Sequence, residues 1–293
     1  MLESPDSSSQ LDDSNGKSGR SWTLPASIIF IVAILLGAVL VYLIPDDDKA
    51  PQQGAQTPSP TAGPTSSPSG DGRDKFGTPR VDATGRSVQV PANPSGQVLP
   101  QTGSPAFTAS DPAWLTGSPK GLMWQSIYNG VVVPFSTSDG PTSLVDGVPT
   151  GFARTPQGAV MAAWQINVRL PFETDPSRRA KLIDRAMISD GSDAAEAEMR
   201  GARTLNGSSD NPLSLRGAQI LGSVPIAVKV SEFSPDYALI SFGLSLAPQQ
   251  PNGIEGMRAD FQVVWRDGTW KVPFPLLNSF TPTPTFVGWS RQW

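Results

Sequence analysis

Residues 21–45 contain no charged side chain, with Arg20 immediately before them and Asp46, Asp47 and Asp48 immediately after. Ile28 to Val32, Ile34 to Leu36, Val39 to Val41, Leu43 and Ile44 make the run strongly apolar. A helix rises about 1.5 Å per residue, so roughly 20 apolar residues cross a bilayer core of about 30 Å. Trp22 and Tyr42 stand near the two ends, where amphipathic rings favour the interface. The run therefore predicts one transmembrane helix over residues 21–45. Lys17 and Arg20 flank it on one side, against Lys49 on the other. The positive-inside rule then puts residues 1–20, a disordered tail of Ser, Asp and Gly, in the cytoplasm and everything after the span outside the plasma membrane.

Residues 46–111 are dominated by Pro, Gly, Ser, Thr and Gln, as in Pro58-Ser59-Pro60-Thr61 and Pro64-Thr65-Ser66-Ser67-Pro68. Such a composition buries too little apolar surface to offset its ordering entropy, and proline extends it. It is expected to be a linker, with scattered valines between Val81 and Val98 that could add a short strand. Apolar density rises at Trp114, so residues 112–293 are expected to form one extracytoplasmic domain.

Within that domain Leu122 to Phe135 has strand character, broken at Gly130. Thr155 and Pro156 open a helix as cap and first residue, with Val160, Trp164 and Val168 on one apolar face. Asp175 and Pro176 open a second helix, whose Arg178, Arg179, Lys181 and Arg185 read as a solvated face. A third short helix is expected over Asp193 to Arg200, and a polar loop over Asn206 to Asn211. The apolar period then changes to two. Val224 to Phe233, Tyr237 to Leu246, Met257 to Arg266 and Thr269 to Pro273 predict four strands, the last two joined by an Asp267-Gly268 hairpin. The expected fold class is α+β, with early helices packed on a curved antiparallel sheet. The final stretch from Asn278 is expected to pack back on the domain.

One order of motifs resembles a known family. Trp124 is followed by Val133-Pro134-Phe135-Ser136, then Gly140-Pro141. Next comes Gly151-Phe152-Ala153-x-Thr155-Pro156-x-Gly158-Ala159, and last Trp265-Arg266-Asp267-Gly268-Thr269-Trp270-Lys271-Val272. This series is similar to single-pass membrane proteins of actinobacterial integrative and conjugative elements, encoded beside type IV secretion genes. The final hairpin also resembles that of the nuclear-transport-factor-two-like, or cystatin-like, domains of secretion assembly proteins. The resemblance implies a non-enzymatic scaffold of a conjugative DNA-transfer apparatus. Its partners would be other secretion-apparatus membrane proteins and further copies of itself.

The chemistry open to the chain is narrow. It has no histidine and no cysteine. Imidazole catalysis, a Ser-His-Asp triad, thiolate nucleophiles and His or Cys metal sites are thereby excluded. No cofactor site and no metal site is expected. The net charge of -4 speaks against direct nucleic-acid binding. Asp260 and Asp267 are the pair of carboxylates that a hydrolase reading would use, though Asp260 reads as a solvent-facing strand position and Asp267 as a turn residue. The alternatives to a scaffold are a cell-envelope binding module, for peptidoglycan or a small apolar ligand, and an extracytoplasmic hydrolase. Trp114, Trp289 and Trp293 stand out as exposed anchors for a partner, because aromatic side chains dominate interface hot spots.

Overall fold

The computed structural model describes residues 75–293, apart from 83, 129, 190, 195–196, 198–199, 201–223, 246–252 and 275–278. The tail at residues 1–20, the span expected at residues 21–45, most of the expected linker and the polar loop at 206–211 lie outside the described residues. No helix among the described residues is long and apolar enough to cross a membrane.

The described chain mixes α and β. In order it forms β1 (Arg80–Val81), β2 (Ser87–Val88), β3 (Met123–Ile127), β4 (Val131–Phe135), β5 (Ser143–Val145) and β6 (Val148–Thr150). Helices α1 (Pro156–Phe172) and α2 (Pro176–Ala186) follow, then β7 (Met187–Ile188). The last strands are β8 (Ala227–Ser234), β9 (Tyr237–Ser245), β10 (Gly256–Arg266), β11 (Thr269–Pro273) and β12 (Ser279–Thr283). Residues 193, 194, 197 and 200 are also helical, where a third short helix was expected. The main sheet runs β7-β11-β10-β9-β8, with β12 also on β10. Neighbours in it are antiparallel except β7 and β11. The expected meander is therefore present. Leu122 to Phe135 is a hairpin, β3 to β4, turning at Tyr128 and Gly130 rather than one broken strand.

Local chemistry sets these elements. Thr155 caps α1 by accepting from the Gly158 N–H, and Asp175 caps α2 by accepting from Ser177 and Arg178. Asp146-Gly147 and Asp267-Gly268 both have positive φ at each residue, 56° and 82°, then 51° and 75°. That is the geometry of the tight turn whose twist suits a two-residue hairpin.

Helix α1 is buried along its whole length from Pro156 to Leu170. A single apolar face was expected, and the difference has a structural cause. The main sheet covers one side and the β3–β4 hairpin covers another. Trp164 touches both layers. Its ring packs on Phe242 and Phe261 of the sheet at 4.8 and 6.2 Å, and its indole N–H donates to the Val132 carbonyl of β4 at 2.8 Å. The polar side chains on the hairpin side also find carbonyls, as Gln165 does at Pro134.

The expected linker boundary at residue 111 requires correction. From Lys75 the chain is part of the fold. Phe76 bridges Pro91, β1 pairs with β2, and Gln89 bridges Gln125 of β3. Val88 and Leu99 are core residues. Asp82 accepts from the backbone N–H of Thr84, Arg86 and Val224. Arg86 donates to the carbonyls of Pro225 and Trp293, joining this strap to the end of the chain. Proline and glycine make the segment look unstructured, but they sit at turns between very short pairings.

The last residues pack back as expected. Phe286 is fully buried, and Ser290 bridges Val228. Trp293 is only 5% exposed, so it is a core residue and not an exposed anchor. The Arg86 clasp on its carbonyl and its place in the core explain the difference.

A chain beginning at residue 112 is expected to lose its cooperative thermal transition, whereas one beginning at residue 75 retains it, as followed by far-UV circular dichroism. Burial raises the Asp82 carboxyl, but the hydrogen bonds from Val224, Arg86 and Thr84 outweigh it and hold the group below its ordinary value. A lowered folded value stabilises above the unfolded value and is lost as pH falls through the folded one. Asp82→Asn should cost about 1–3 kcal/mol at neutral pH. The gap from the parent should narrow below about pH 4, which urea unfolding at the two ends of that range would measure.

Candidate functional site

The motif residues of the sequence, spread over about half the chain, meet at the start of α1. Asp139 is fully buried. One of its carboxylate oxygens accepts from the Thr155 hydroxyl at 2.7 Å. The other accepts from the Ser138 hydroxyl and the Ala106 N–H. Thr155 in turn accepts from the Gly158 N–H at 3.0 Å, so Asp139 orients the cap of the helix through one hydroxyl. The Ser136 hydroxyl accepts from the Asp139 N–H and donates to the Gly140 carbonyl. The Asp139 carbonyl accepts from the Ala153 N–H, which ties this turn to the loop entering the helix.

Two glycines permit the close approach. A Cβ on Gly158 would stand 2.0 Å from the Ala153 carbonyl oxygen. Gly140 has φ 98°, and a Cβ there would stand 2.7 Å from the Gly151 carbonyl oxygen. The peptide from Gly140 to Pro141 is cis.

The distant hairpin motif closes on the same loop. The Trp270 indole N–H donates to the Ala153 carbonyl at 2.8 Å. Trp265 packs edge-on against Trp270 at 5.2 Å. Arg154 lies over the Trp265 ring, donates to the Pro235 carbonyl at 2.8 Å and pairs with Asp236. The Gly-Phe-Ala block and the Trp-Arg-Asp-Gly block are thus the two jaws of one clamp. Phe152 and Ala159 are buried beside it, and the Pro134 carbonyl receives Gln165.

Every polar group of this clamp named above is satisfied within it, and Asp139 is closed off from solvent. Its chemistry is positioning. The pair of carboxylates for a hydrolase does not assemble. Six residues of mostly extended chain separate Asp260 from Asp267, a span of roughly 20 Å, against the 5–9.5 Å or so that glycoside hydrolysis uses. Asp260 is also not solvent-facing as expected, being 6% exposed. It accepts from the Ser241 hydroxyl at 2.5 Å and from the Arg258 guanidinium at 2.6–2.9 Å. Asp267 is an exposed turn residue paired with Lys271, whose ammonium holds it below its ordinary value. Among the described residues no cluster of carboxylates could hold a metal ion.

A second buried centre lies at the other end of α1. Arg169 is fully buried. It donates to Gln165, the Tyr128 hydroxyl and the carbonyls of Gly147 and Ser95. Burial pulls it below the ordinary arginine value, opposed by Tyr128 and Glu173. Arg169 and Asp139 are the organising charges that the sequence reading missed. The turn-forming composition of Ser138-Asp139-Gly140-Pro141 hides the role of Asp139, and the one available signal is the hydroxyl-rich setting of that residue. Of the aromatic candidates, Trp114 is half-buried edge-on against Phe233, and Trp289 is half-buried against Phe286.

Thr155→Ala should cost about 1–2 kcal/mol through loss of the cap. Asp139→Ala should cost more, because it strands several buried donors at about 1–3 kcal/mol each. The double variant should lose less than the sum, since both share one hydrogen bond. Urea unfolding of the four proteins closes the cycle, and strict additivity would refute the relay.

No curated protein and no solved structure matches the chain. A family model described as Domain of unknown function (DUF8175) matches residues 89–291. The match begins inside the strap, not at residue 112, and takes in both jaws of the clamp. It covers more than half of the sequence, and the chain belongs to the DUF8175 family.

Proposed function

We propose that this protein is a non-enzymatic, membrane-anchored scaffold of a conjugative type IV secretion apparatus. One N-terminal helix at residues 21–45 holds it in the plasma membrane, with the tail inside and the folded domain outside. The observation that carries this reading is the uncharged run followed by a Pro-rich tether, which divides a short inner end from a large outer domain. The lack of histidine and cysteine, and the separation of Asp260 from Asp267, leave assembly as the function the outer domain supports best.

Photo-crosslinking of the full-length protein in its native envelope, followed by mass spectrometry, tests the proposal. The expected captures are membrane proteins of the secretion apparatus and further copies of the chain. A secreted-only reporter enzyme fused after Trp293 should be active. An inactive reporter would overturn the topology. Retention on purified cell-wall material with neither self-association nor captured membrane proteins would favour the envelope-binding alternative.

A further inference from the structure

The face of the main sheet turned away from α1 carries a hollow floored by glycine. Phe242 and Phe261 face Trp164, so Gly243 and Gly256, at alternate positions, face the other way. Ala227, opposite Gly243 on β8, continues the floor. The Phe286 ring fills this hollow. A Cβ on Gly256 would stand 2.9 Å from the ring, and one on Gly243 3.0 Å, so the seat depends on both lacking a side chain. Phe286 is fully buried although Thr285 and Val287 on either side of it are exposed. An aromatic ring laid over strand glycines supplies the packing that the missing side chains would have given.

Phe286 belongs to an arm, residues 284–293, that crosses this face. The Glu255 carboxylate accepts from the Phe286 N–H at 2.7 Å and from Arg291 at 2.5 Å. Ser290 exchanges backbone hydrogen bonds with Val228 at 2.8 and 2.9 Å, the arm's one pairing with the sheet among the described residues. These holds are light. The Arg291 side chain is 51% exposed, and an ion pair open to water contributes little. The end of the arm is held differently. Trp293 is a core residue, and its carbonyl accepts from Arg86 of the strap at 2.6 Å. The same guanidinium nitrogen donates to the Pro225 carbonyl at 2.9 Å. Asp82 accepts from the N–H of Arg86 at 2.9 Å and of Val224 at 2.8 Å. The strap tip thus grips the chain entering β8 and the end of the arm together. Hydrogen bonds from a charged donor are the stronger kind, so the firmest polar hold on the arm comes from the strap and not from the sheet beneath it.

We infer that residues 284–293 are a latch and the strap tip its lock. The two open and close as one unit, and Phe286 leaves its hollow only when Arg86 lets go of the Trp293 carbonyl. The inference rests on the described fold alone, so it stands or falls apart from the topology and envelope-capture experiments above.

The test is native-state hydrogen exchange of the full-length protein in detergent, followed by mass spectrometry over a series of low urea concentrations. Residues 82–88 and 286–293 should share one opening with a common urea dependence, below the concentrations that open α1. Arg86→Gln should speed exchange over 286–293 about ten-fold or more and leave α1 unchanged. Glu255→Gln, which loosens the arm at its far hold, should speed exchange over 82–88 as well, because coupling between two sites is reciprocal. A fluorescein-labelled copy of the arm, Pro-Thr-Phe-Val-Gly-Trp-Ser-Arg-Gln-Trp, reports the vacated hollow. Its apparent affinity follows the open fraction, so Arg86→Gln should bind it about ten-fold or more tighter than the parent. A copy with alanine in place of phenylalanine should not bind. Should Arg86→Gln fail to fold, the urea series on the parent and Glu255→Gln carry the test. Separate urea dependences for strap and arm, arm exchange unmoved by Arg86→Gln, an equal acceleration in α1, or a strap indifferent to Glu255→Gln would each overturn the inference.

Discussion

Complete burial of one helix governs this structure. A helix enclosed on several sides cannot leave its polar side chains to water, and each buried donor without a partner costs about 1–3 kcal/mol. Helix α1 carries Gln157, Gln165, Asn167 and Arg169 in buried positions. Three find carbonyls of other segments, Trp114 and Gly117 for Gln157, Pro134 for Gln165, and Ser95 and Gly147 for Arg169, while Asn167 donates back to the Ala163 carbonyl of its own helix. The loops before the helix are therefore fixed by the needs of the helix. That is why the strap, the β3–β4 hairpin and the β5–β6 turn hold definite places despite having few strand pairings of their own.

The same constraint explains the spacing of the motifs. The start of α1 is buried together with its cap, so the cap must be supplied and held by groups that are themselves buried. Asp139 supplies the charge, Ser136 sets the turn that carries it, and Gly158 lets the helix come down on Ala153. Trp270 then closes the loop from the far end of the sequence. Residues over a hundred positions apart are linked because they serve one helix end.

Much of the architecture was legible in the sequence because it rests on local rules. Thr155-Pro156 and Asp175-Pro176 announced both helix starts, Asp267-Gly268 announced the last tight hairpin, and alternation announced the meander. What was not legible depends on distant partners. Proline-rich composition hid the strap, whose order comes from Asp82 binding Val224 and from Arg86 binding Pro225 and Trp293. The apolar stripe of Val160, Trp164 and Val168 marked buried positions, and Trp164 meets the sheet, but the second layer over the helix was not legible. Trp293 looked free because a terminal aromatic carries no local sign of the clasp that holds it. Of the site, the clamp residues were readable as motifs, but not that Asp139 joins them, since a buried carboxylate and a turn aspartate look alike in a sequence.

The hairpin formed by residues 76–91 has a mechanical consequence on the proposed topology. Its incoming end at Lys75 and its outgoing end at Ala92 lie side by side, joined by the hydrogen bond between them. Tension arriving along a membrane tether would open this pair first and proceed as a zipper, one weak rung at a time, towards Arg80 and Asp82. There several bonds must break together, because Asp82 gathers four donors and Arg80 grips the Gly130 carbonyl. The strap would therefore act as a ripcord with a stop: a short length yields under light load, and the enclosed helix bears no more than that load until the length is spent.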